Sequence, residues 1–302
     1  MQSFATPGKT RIIIVNPIGD LDLSTDGADT TSVELIERSS DGESLASETS
    51  VSSEESNGVF VVTVTLPSQR SFSRRRSGLD IRISAPIDAD VVVSTSSSER
   101  SLLSIARGPS GDIRLRGPVG DVDISIPSGD FTAQVVNGSL SVKTASGDLS
   151  ADKVNGPIKI RSVSGDVFID EANAEASLAL VSGDATITTA NAPVDVTSIS
   201  GDVTVTDANA GASCKSTSGD VMVRRAWSGT VRANTVSGDV LIGVPPGRGV
   251  SVDARSMSGD LLSEIELSDN LGAAGGESNV VRITANSISG DVMIRRALPA
   301  TA

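Results

Sequence analysis

The chain has 302 residues and a mass of 30.7 kDa, enough for one large or two modest domains, and its formal net charge is −13. A chain this acidic is a poor general nucleic-acid binder. It has no His, no Tyr, one Cys, one Trp and five Phe, which argues against most enzymes, disulfide frameworks, cysteine-rich zinc sites and aromatic stacking platforms.

Residues 1–105 are predicted to form an irregular β-rich cap, because short apolar runs alternate with polar stretches there. The strand-like runs are 11–15, 33–36, 59–66, 79–83 and 91–93, and a Ser/Glu-rich stretch covers 39–57. Residues 1–9 contain no charged-then-apolar leader, and the run 12–15 is too short for a membrane span. The sequence therefore predicts a cytoplasmic protein without a membrane span, and it leaves open a route to the cell surface that needs no leader.

A cluster of four arginines is the most concentrated positive charge in the sequence. Its members are Arg70, Arg74, Arg75 and Arg76. Such a cluster can contact an anion or an acidic partner surface, or it can be a solvated loop between strands. The sequence favours the loop, and contact with an anion or a partner is the functional alternative.

From residue 106 onward the chain repeats itself, which is the signature of a solenoid or a propeller. Gly-Asp recurs at a constant spacing of 18 residues, at Asp130, Asp148, Asp166, Asp184, Asp202 and Asp220. A second marker lies half a period away, at Asn137, Asn155, Asn173, Asn191 and Asn209. The repeating unit is therefore nine residues long, and each coil uses it twice.

In the five coils that start at Asp130 through Asp202, apolar residues occupy the same offsets, at 1, 3, 6, 10, 12 and 15 residues after the Asp, with Thr217 as the single exception. The second half thus copies the first, and all six positions are predicted to face the core. Short alternating runs bounded by turn residues indicate strands, so one coil holds two strands on opposite walls. Stacked coils then form parallel sheets. The sequence predicts an all-β fold with a parallel β-solenoid over 106–302, and the crossover rule favours a right-handed path.

Two residues stand out within the repeats. Cys214 lies at an inward offset, and we expect it to be a small core residue. Trp227 lies beside Arg224 and Arg225, where one residue is inserted into the half-coil. This Trp marks either a surface contact or the cover of a bulge.

The C-terminal end is less regular than the central repeats. The spacing between Gly-Asp turns loosens to 19, 21 and 31 residues, and the chain finishes shortly after Met293-Ile294-Arg295-Arg296. Solenoids need covered or polar end coils, since an open strand edge recruits further strands. The sequence therefore predicts self-association through the last coil, around residues 291–296, or along a sheet face.

The repeat units resemble a known bacterial family. Ser-Gly-Asp followed by an aliphatic residue occurs at 146–149, 164–167, 200–203, 218–221 and 237–240, and residues 16–20 resemble the first hairpin of that family. Over nearly its whole length the chain resembles the bacterial putative-adhesin domains of unknown function, built from SGDV-type strand repeats. The resemblance implies a non-enzymatic β-solenoid that serves as a scaffold or protein-interaction surface, with no cofactor and no catalytic residues.

The six repeat aspartates should form one column, and so many like charges need a physical reason. Neighbouring carboxylates about 4.8 Å apart repel by about 0.9 kcal/mol in water. A carboxylate that accepts a backbone N–H in its own turn gains about 1.5–3 kcal/mol, which favours turn capping. The alternative is a calcium-binding module, because the period resembles that of calcium-binding β-rolls, although Asn replaces a regular carboxylate in each second half. A carbohydrate-active β-helix is disfavoured, because a strictly periodic Asp does not make a local active site.

Overall fold

A computed structural model describes residues 1–38, 40–67, 79–95, 111–265 and 280–297. The predicted all-β class and the long parallel sheets are confirmed, and the right-handed path stays a prediction.

The strands before the repeats are β1 (Gln2–Ala5), β2 (Thr10–Val15), β3 (Leu21–Asp26), β4 (Thr30–Glu37), β5 (Ser50–Ser56), β6 (Val59–Thr65), β7 (Leu79–Pro86) and β8 (Asp90–Ser94), with one helix, α1 (Ser40–Glu48). The next strands are β9 (Ile113–Val119), β10 (Val122–Ser128), β11 (Phe131–Val136), β12 (Leu140–Ser146), β13 (Leu149–Val154), β14 (Ile158–Ser164), β15 (Val167–Ala172), β16 (Ala176–Ser182), β17 (Ala185–Ala190) and β18 (Val194–Ser200). The last strands are β19 (Val203–Ala208), β20 (Ala212–Lys215), β21 (Val221–Ala226), β22 (Thr230–Ser237), β23 (Val240–Val244), β24 (Gly249–Ser258), β25 (Leu261–Ser263), β26 (Val280–Ser289) and β27 (Val292–Arg296).

The chain divides into two compact units, and the division passes through β14. Unit 1 comprises residues 1–156 and 160–164, and unit 2 comprises residues 157–159 and 165–302. The predicted boundary between a cap and the repeats, at 105/106, lies outside the described residues. Among the described residues, no helix is both long enough and apolar enough to span a membrane.

Unit 1 contains two sheets in which most neighbouring strands are parallel. The first sheet has the order β1-β4-β7-β3-β9-β11-β13, and the second has the order β5-β6-β2-β8-β10-β12. The pairs β1/β4, β4/β7 and β5/β6 are antiparallel. Parallel stacking therefore reaches back from the repeats to β2 and β3, which pair with β8 and β9.

Helix α1 lies within the Ser/Glu-rich stretch and links β4 of the first sheet to β5 of the second. Its Leu45 is buried, and the helix contacts β4 and β7. Strand β5 is an edge strand, and Glu54 and Glu55 on it are exposed. This part of unit 1 is therefore covered by a helix and bordered by carboxylates, two common protections of a sheet end.

Unit 2 also contains two sheets, and its described strand pairs are parallel. Their orders are β15-β17-β19-β21-β23-β27-β25 and β16-β18-β20-β22-β26-β24. Strands β26 and β27 come last in the sequence but insert between the preceding coil and the coil made by β24 and β25. The prediction that residues 291–296 form the end of the stack was therefore wrong.

Side-chain composition explains this change of order. Strand β27 presents Ile294 at the inward position where β25 has Ser263, its ladder partner. In β26, Val281 and Ile283 are fully buried between neighbouring strands. The coil with the more complete apolar face occupies the interior position, and the coil with the polar residue lies at the end.

The prediction that offset 15 faces the core was also wrong. The second strand of each coil keeps a simple alternation, so offsets 10, 12 and 14 point inward and offset 15 points outward. Val181, Ile199, Val236 and Ile288 are consequently exposed, and a Ser or Thr is buried beside most of them. Most of these buried hydroxyls bind turn carbonyls, as Ser216 Oγ does with Gly201 O at 3.2 Å. This hydrogen bond makes an inward hydroxyl acceptable in an otherwise apolar column.

Candidate functional site

The Ser-Gly-Asp turns stack directly on one another within each unit. Gly201 has φ +134°, and a Cβ on it would lie 2.2 Å from the carbonyl oxygen of Gly183 in the neighbouring turn. A side chain cannot fit there, so the Gly of the motif is required by both conformation and close approach. The Asp that follows is thereby held at a fixed distance from the next turn.

Each ladder Asp bonds to the next coil and not to its own turn as the sequence had suggested. Its Oδ1 accepts the backbone N–H of the Asp in the neighbouring coil, for example Asp202 Oδ1 from Asp220 N at 2.8 Å. In unit 1 this chain of bonds runs through Asp80, Asp20, Asp112, Asp130 and Asp148. In unit 2 it runs through Asp166, Asp184, Asp202, Asp220, Asp239, Asp291 and Asp260. Every bond ties one coil to the next, so the ladder stabilises the stack.

The described residues contain no group of three or more His, Cys, Asp or Glu side chains that could hold a metal ion. In each bond of the Asp ladder, one oxygen of the accepting carboxylate is already engaged by a backbone N–H. A calcium ion needs about six to eight oxygen ligands, and one remaining oxygen per turn supplies few of them. The calcium alternative is therefore poorly matched by this geometry.

The Asn residues also form ladders within each unit. Asn155 Nδ2 donates to Asn137 Oδ1 at 2.8 Å in unit 1, and Asn137 donates to Asp88 Oδ1. In unit 2 the ladder consists of Asn173, Asn191 and Asn209. Trp227 occupies the next repeat position after Asn209. Its backbone N–H donates to Ala208 O, as the backbone N–H of Asn209 donates to Ala190 O.

Trp227 belongs to a polar cluster that the sequence did not reveal. Its Nε1–H donates to Asp207 Oδ1 at 2.9 Å, and Arg225 binds both oxygens of the same carboxylate. Arg225 and Asp207 lie side by side on β21 and β19. Burial alone raises the pKa of Asp207, but the bonds from Arg225 and Trp227 outweigh it and hold that pKa below its ordinary value. The cluster fixes the position of the indole N–H, while the Trp227 side chain stays partly exposed.

A cleft of about 420 Å³ lies in unit 1. Its wall includes Asp88, Asp90 and Asp121 together with Lys9. Asp90 is buried and pairs with Lys9 and Arg11. The backbone N–H and the hydroxyl of Ser139 lower the pKa of Asp121. The carboxylates of this cleft are therefore already paired, and they hold neighbouring strands together.

The sequence also singled out Cys214 and the arginine cluster. Cys214 is fully buried, and burial raises its pKa to about 12, so it is a core residue and a poor nucleophile. The arginine cluster, Arg70, Arg74, Arg75 and Arg76, lies outside the described residues.

The strongest candidate site is the coil made by β24 and β25, here called the terminal coil (residues 249–263). Leu261 occupies an inward ladder position but is 54% exposed, whereas its ladder partners Val292 and Val240 are 0% exposed. Met257 and Leu262 are also exposed, at 83% and 48%. No strand in the described part of the chain pairs with the outer edge of β24 or β25. The terminal coil thus combines open backbone groups with uncovered apolar side chains.

Sequence reasoning missed this site because it assumed that chain order equals stacking order. Ser263 was the available signal, since a polar residue occupies an inward offset where Ile294 occupies it in the last repeat. The 31-residue spacing before Asp291 was a second signal, because it leaves enough chain for a change of order.

A family model described as Toastrack DUF4097 matches residues 49–226 and 173–295, which include parts of both units and the terminal coil. The chain belongs to this family. Toastrack domains have a β-solenoid-like fold, in agreement with the parallel sheets described above. The predicted resemblance holds at the level of a domain of unknown function, and the SGDV repeat as a family mark stays a prediction.

One solved structure can be compared with this Toastrack chain. It is described as a putative cell adhesion protein from Clostridium sporogenes, with 10% sequence identity, coverage of 98% of each chain and a TM-score of 0.26. No curated protein matches the Toastrack chain.

Proposed function

We propose that this Toastrack chain is a non-enzymatic β-solenoid that serves as a protein-interaction scaffold and associates with itself through the terminal coil. The family assignment supports a structural or binding domain at a coarse level. The composition supports the absence of catalysis, because the chain has no His and its one Cys is buried. Within the ladders, hydrogen bonds join one Asp to the next and one Asn to the next, so these repeated polar groups support the stack.

The exposure of Leu261 is the observation that carries this proposal. A large aliphatic side chain at an inward position normally gains about 2 kcal/mol from burial. Leu261 receives little of this gain, since it is more than half exposed. Val252 on β24 is also less buried than Val231 at the corresponding position of β22, and Val250 is less buried than its ladder partner Val281. Another protein surface on the terminal coil would bury all of these side chains.

The backbone supports the same conclusion. An edge strand presents N–H and C=O groups that no strand on its outer side satisfies, and an added strand can pair with them. Strand β24 is ten residues long, which offers a long ladder. Its edge carries Asp253 and Arg255, one charge of each sign, and so has no net repulsion toward an incoming strand.

Sedimentation velocity on the full chain over a concentration series tests the proposal. We expect wild type to associate as its concentration rises, and Leu261→Lys to remain monomeric because a charge would then be buried in the contact. Ile199→Lys is the matched control, since Ile199 is 53% exposed on the outer face of β18. It should associate like wild type. Circular dichroism melts should show that both variants fold.

A wild-type chain that stays monomeric at its highest soluble concentration would overturn the proposal. Equal loss of association in Leu261→Lys and Ile199→Lys would also overturn it, because the contact would then not be specific to the terminal coil.

A further inference from the structure

We propose that the partner of the terminal coil is a second copy of this chain. A twofold axis relates the two copies, so that β24 of one copy pairs with β24 of the other in antiparallel orientation. This inference rests on the proposed function and names its partner. The resulting contact uses the same surface on both copies, so it closes on itself and gives a dimer.

An apolar, uncovered surface on the partner is needed to bury Leu261, Val250 and Val252. The terminal coil of a second copy provides it, since it carries the same uncovered side chains. The β5 edge of unit 1 fits poorly, because Glu54 and Glu55 are exposed on it. Apolar side chains placed against those carboxylates would remove charge from water without a partner. The contact therefore joins like ends and does not continue into a filament.

Charge complementarity favours one register of the β24 pair. When the twofold axis passes beside one residue of β24, that residue lies opposite its own copy. Inward side chains of one strand then lie opposite inward side chains of the other. Centring on Asp253 or on Arg255 places like charges directly opposite, which is unfavourable. Centring on Ala254 places Asp253 opposite Arg255 of the second copy, and symmetry repeats this pair. That register also uses nearly all of the ten residues of β24.

The other sheet is compatible with the same axis. A twofold axis that passes through both sheets of unit 2 reverses the strand direction in each sheet without exchanging the sheets. Strand β25 therefore approaches β25 of the second copy while β24 pairs with β24. Leu261, at the inward position, then loses most of its exposure to water, in agreement with its apolar character.

Charge reversal tests the register with little risk to the fold, because the side chains of Asp253 and Arg255 are 60% and 76% exposed. Arg255→Asp places Asp253 opposite an aspartate twice, and Asp253→Arg places Arg255 opposite an arginine twice. Each variant alone should dimerise about tenfold more weakly than wild type. The double variant Asp253→Arg/Arg255→Asp should recover wild-type affinity.

Mixing the two single variants gives the most specific result. In a mixed dimer, both charge pairs become attractive again, so an equimolar mixture should form a heterodimer with near wild-type affinity. Sedimentation velocity with a fluorescent label on one variant measures this heterodimer directly.

The possible outcomes separate the two proposals. A monomeric wild type overturns both of them. A wild-type dimer whose affinity is unchanged by either charge reversal, and not increased by mixing, overturns the twofold register and leaves self-association standing. Particles that grow beyond a dimer overturn the closed contact.

Discussion

The side chain of Asp207 shows how one carboxylate can organise an irregular part of a repeat protein. Its oxygens accept hydrogen bonds from Nε and Nη2 of Arg225 and from the indole N–H of Trp227, and its side chain is 18% exposed. Charge-assisted bonds of this kind are stronger than neutral ones. They hold the pKa of Asp207 low, although burial alone acts in the opposite direction. Protonation of Asp207 should therefore weaken these bonds and lower the stability of the folded state.

Acid should weaken this cluster in a defined direction. A carboxylate with a lowered folded pKa contributes stability that is fully present above its unfolded pKa, about 3.9, and is lost as pH falls through the folded value. Trp227 is the single Trp of the chain, so its fluorescence reports the event. We expect its emission to change below about pH 3.9. Asp207→Asn should be less stable by about 2 kcal/mol at pH 7 and show no such transition.

A wild-type emission spectrum that stays constant until global unfolding would contradict this prediction. Circular dichroism on the same samples distinguishes the local event from global unfolding, since the strands should persist through the fluorescence change.

Two serines in one buried column differ in a way that the structure makes testable. Ser216 Oγ donates to Gly201 O, whereas the buried Ser198 Oγ has no hydrogen-bond partner in the described part of the chain. A buried hydroxyl without a partner loses its bond to water and gains nothing in return.

Alanine at these two positions should therefore have opposite consequences. Ser216→Ala should lower the free energy of unfolding by about 1 kcal/mol, because a hydrogen bond is lost. Ser198→Ala should leave it unchanged or raise it, because an unsatisfied group is removed. Urea unfolding followed by circular dichroism measures both. Equal destabilisation by the two substitutions would show that Ser198 has a partner in solution.

At the scale of the turn, the Asp ladder has a structural explanation that makes a metal unnecessary. Asp184 Oδ1, Asp202 Oδ1 and their equivalents in unit 2 bind the next backbone N–H at 2.7–2.8 Å. These bonds compensate the repulsion between neighbouring carboxylates in water. The ladder is then an array of coil-to-coil bonds.

Calcium should consequently have no effect on stability. Anything that binds the native state and not the unfolded chain raises the melting temperature. We expect the same melting temperature in millimolar calcium and in excess chelator, measured by differential scanning calorimetry. A rise with calcium that a chelator reverses, absent with magnesium, would make the Asp ladder a cation site.

The strands of the repeats could be predicted from sequence because their pattern is local. Residues two apart share a face of a strand, and the Gly-Asp turns mark where each strand ends. The position of Val181 and Ile199 could not be predicted in this way. Their apolar character suggested burial, but the strand alternation continues through the residue before each of them, so Leu180 and Ser198 take the inward positions and Val181 and Ile199 point outward.

Helix α1 was not predicted either, and the reason is its weak pattern. Its one large aliphatic residue, Leu45, is buried, and Ser and Glu surround it. A short helix of this kind is stabilised mainly by the contact of Leu45 with the sheet, and such a contact leaves no periodic signal. The insertion of β26 and β27 could not be predicted either. The coil of β24 and β25 and the coil of β26 and β27 compete for the same position in the stack, and a local pattern does not show which of them occupies it.

For the whole molecule, the terminal coil should be the least stable part of unit 2. In a solenoid each coil is stabilised by its neighbours on both sides, so a coil with one neighbour opens more readily. Its stability then depends on whether a second molecule is bound to it. Self-association through the terminal coil should therefore change the local stability of that coil, and this stability can be measured without any substitution.

Hydrogen exchange measured at several protein concentrations provides that measurement. Backbone amides of β24 and β25 should exchange more slowly as concentration rises, because dimer formation covers them and gives them hydrogen-bond partners. Amides of β18, which lies between two strands, should exchange at a rate independent of concentration. In Leu261→Lys the concentration dependence of β24 should disappear while β18 is unchanged. If β24 is protected equally at all concentrations in both proteins, the terminal coil is already covered within one molecule, and the surface that drives association must be sought elsewhere.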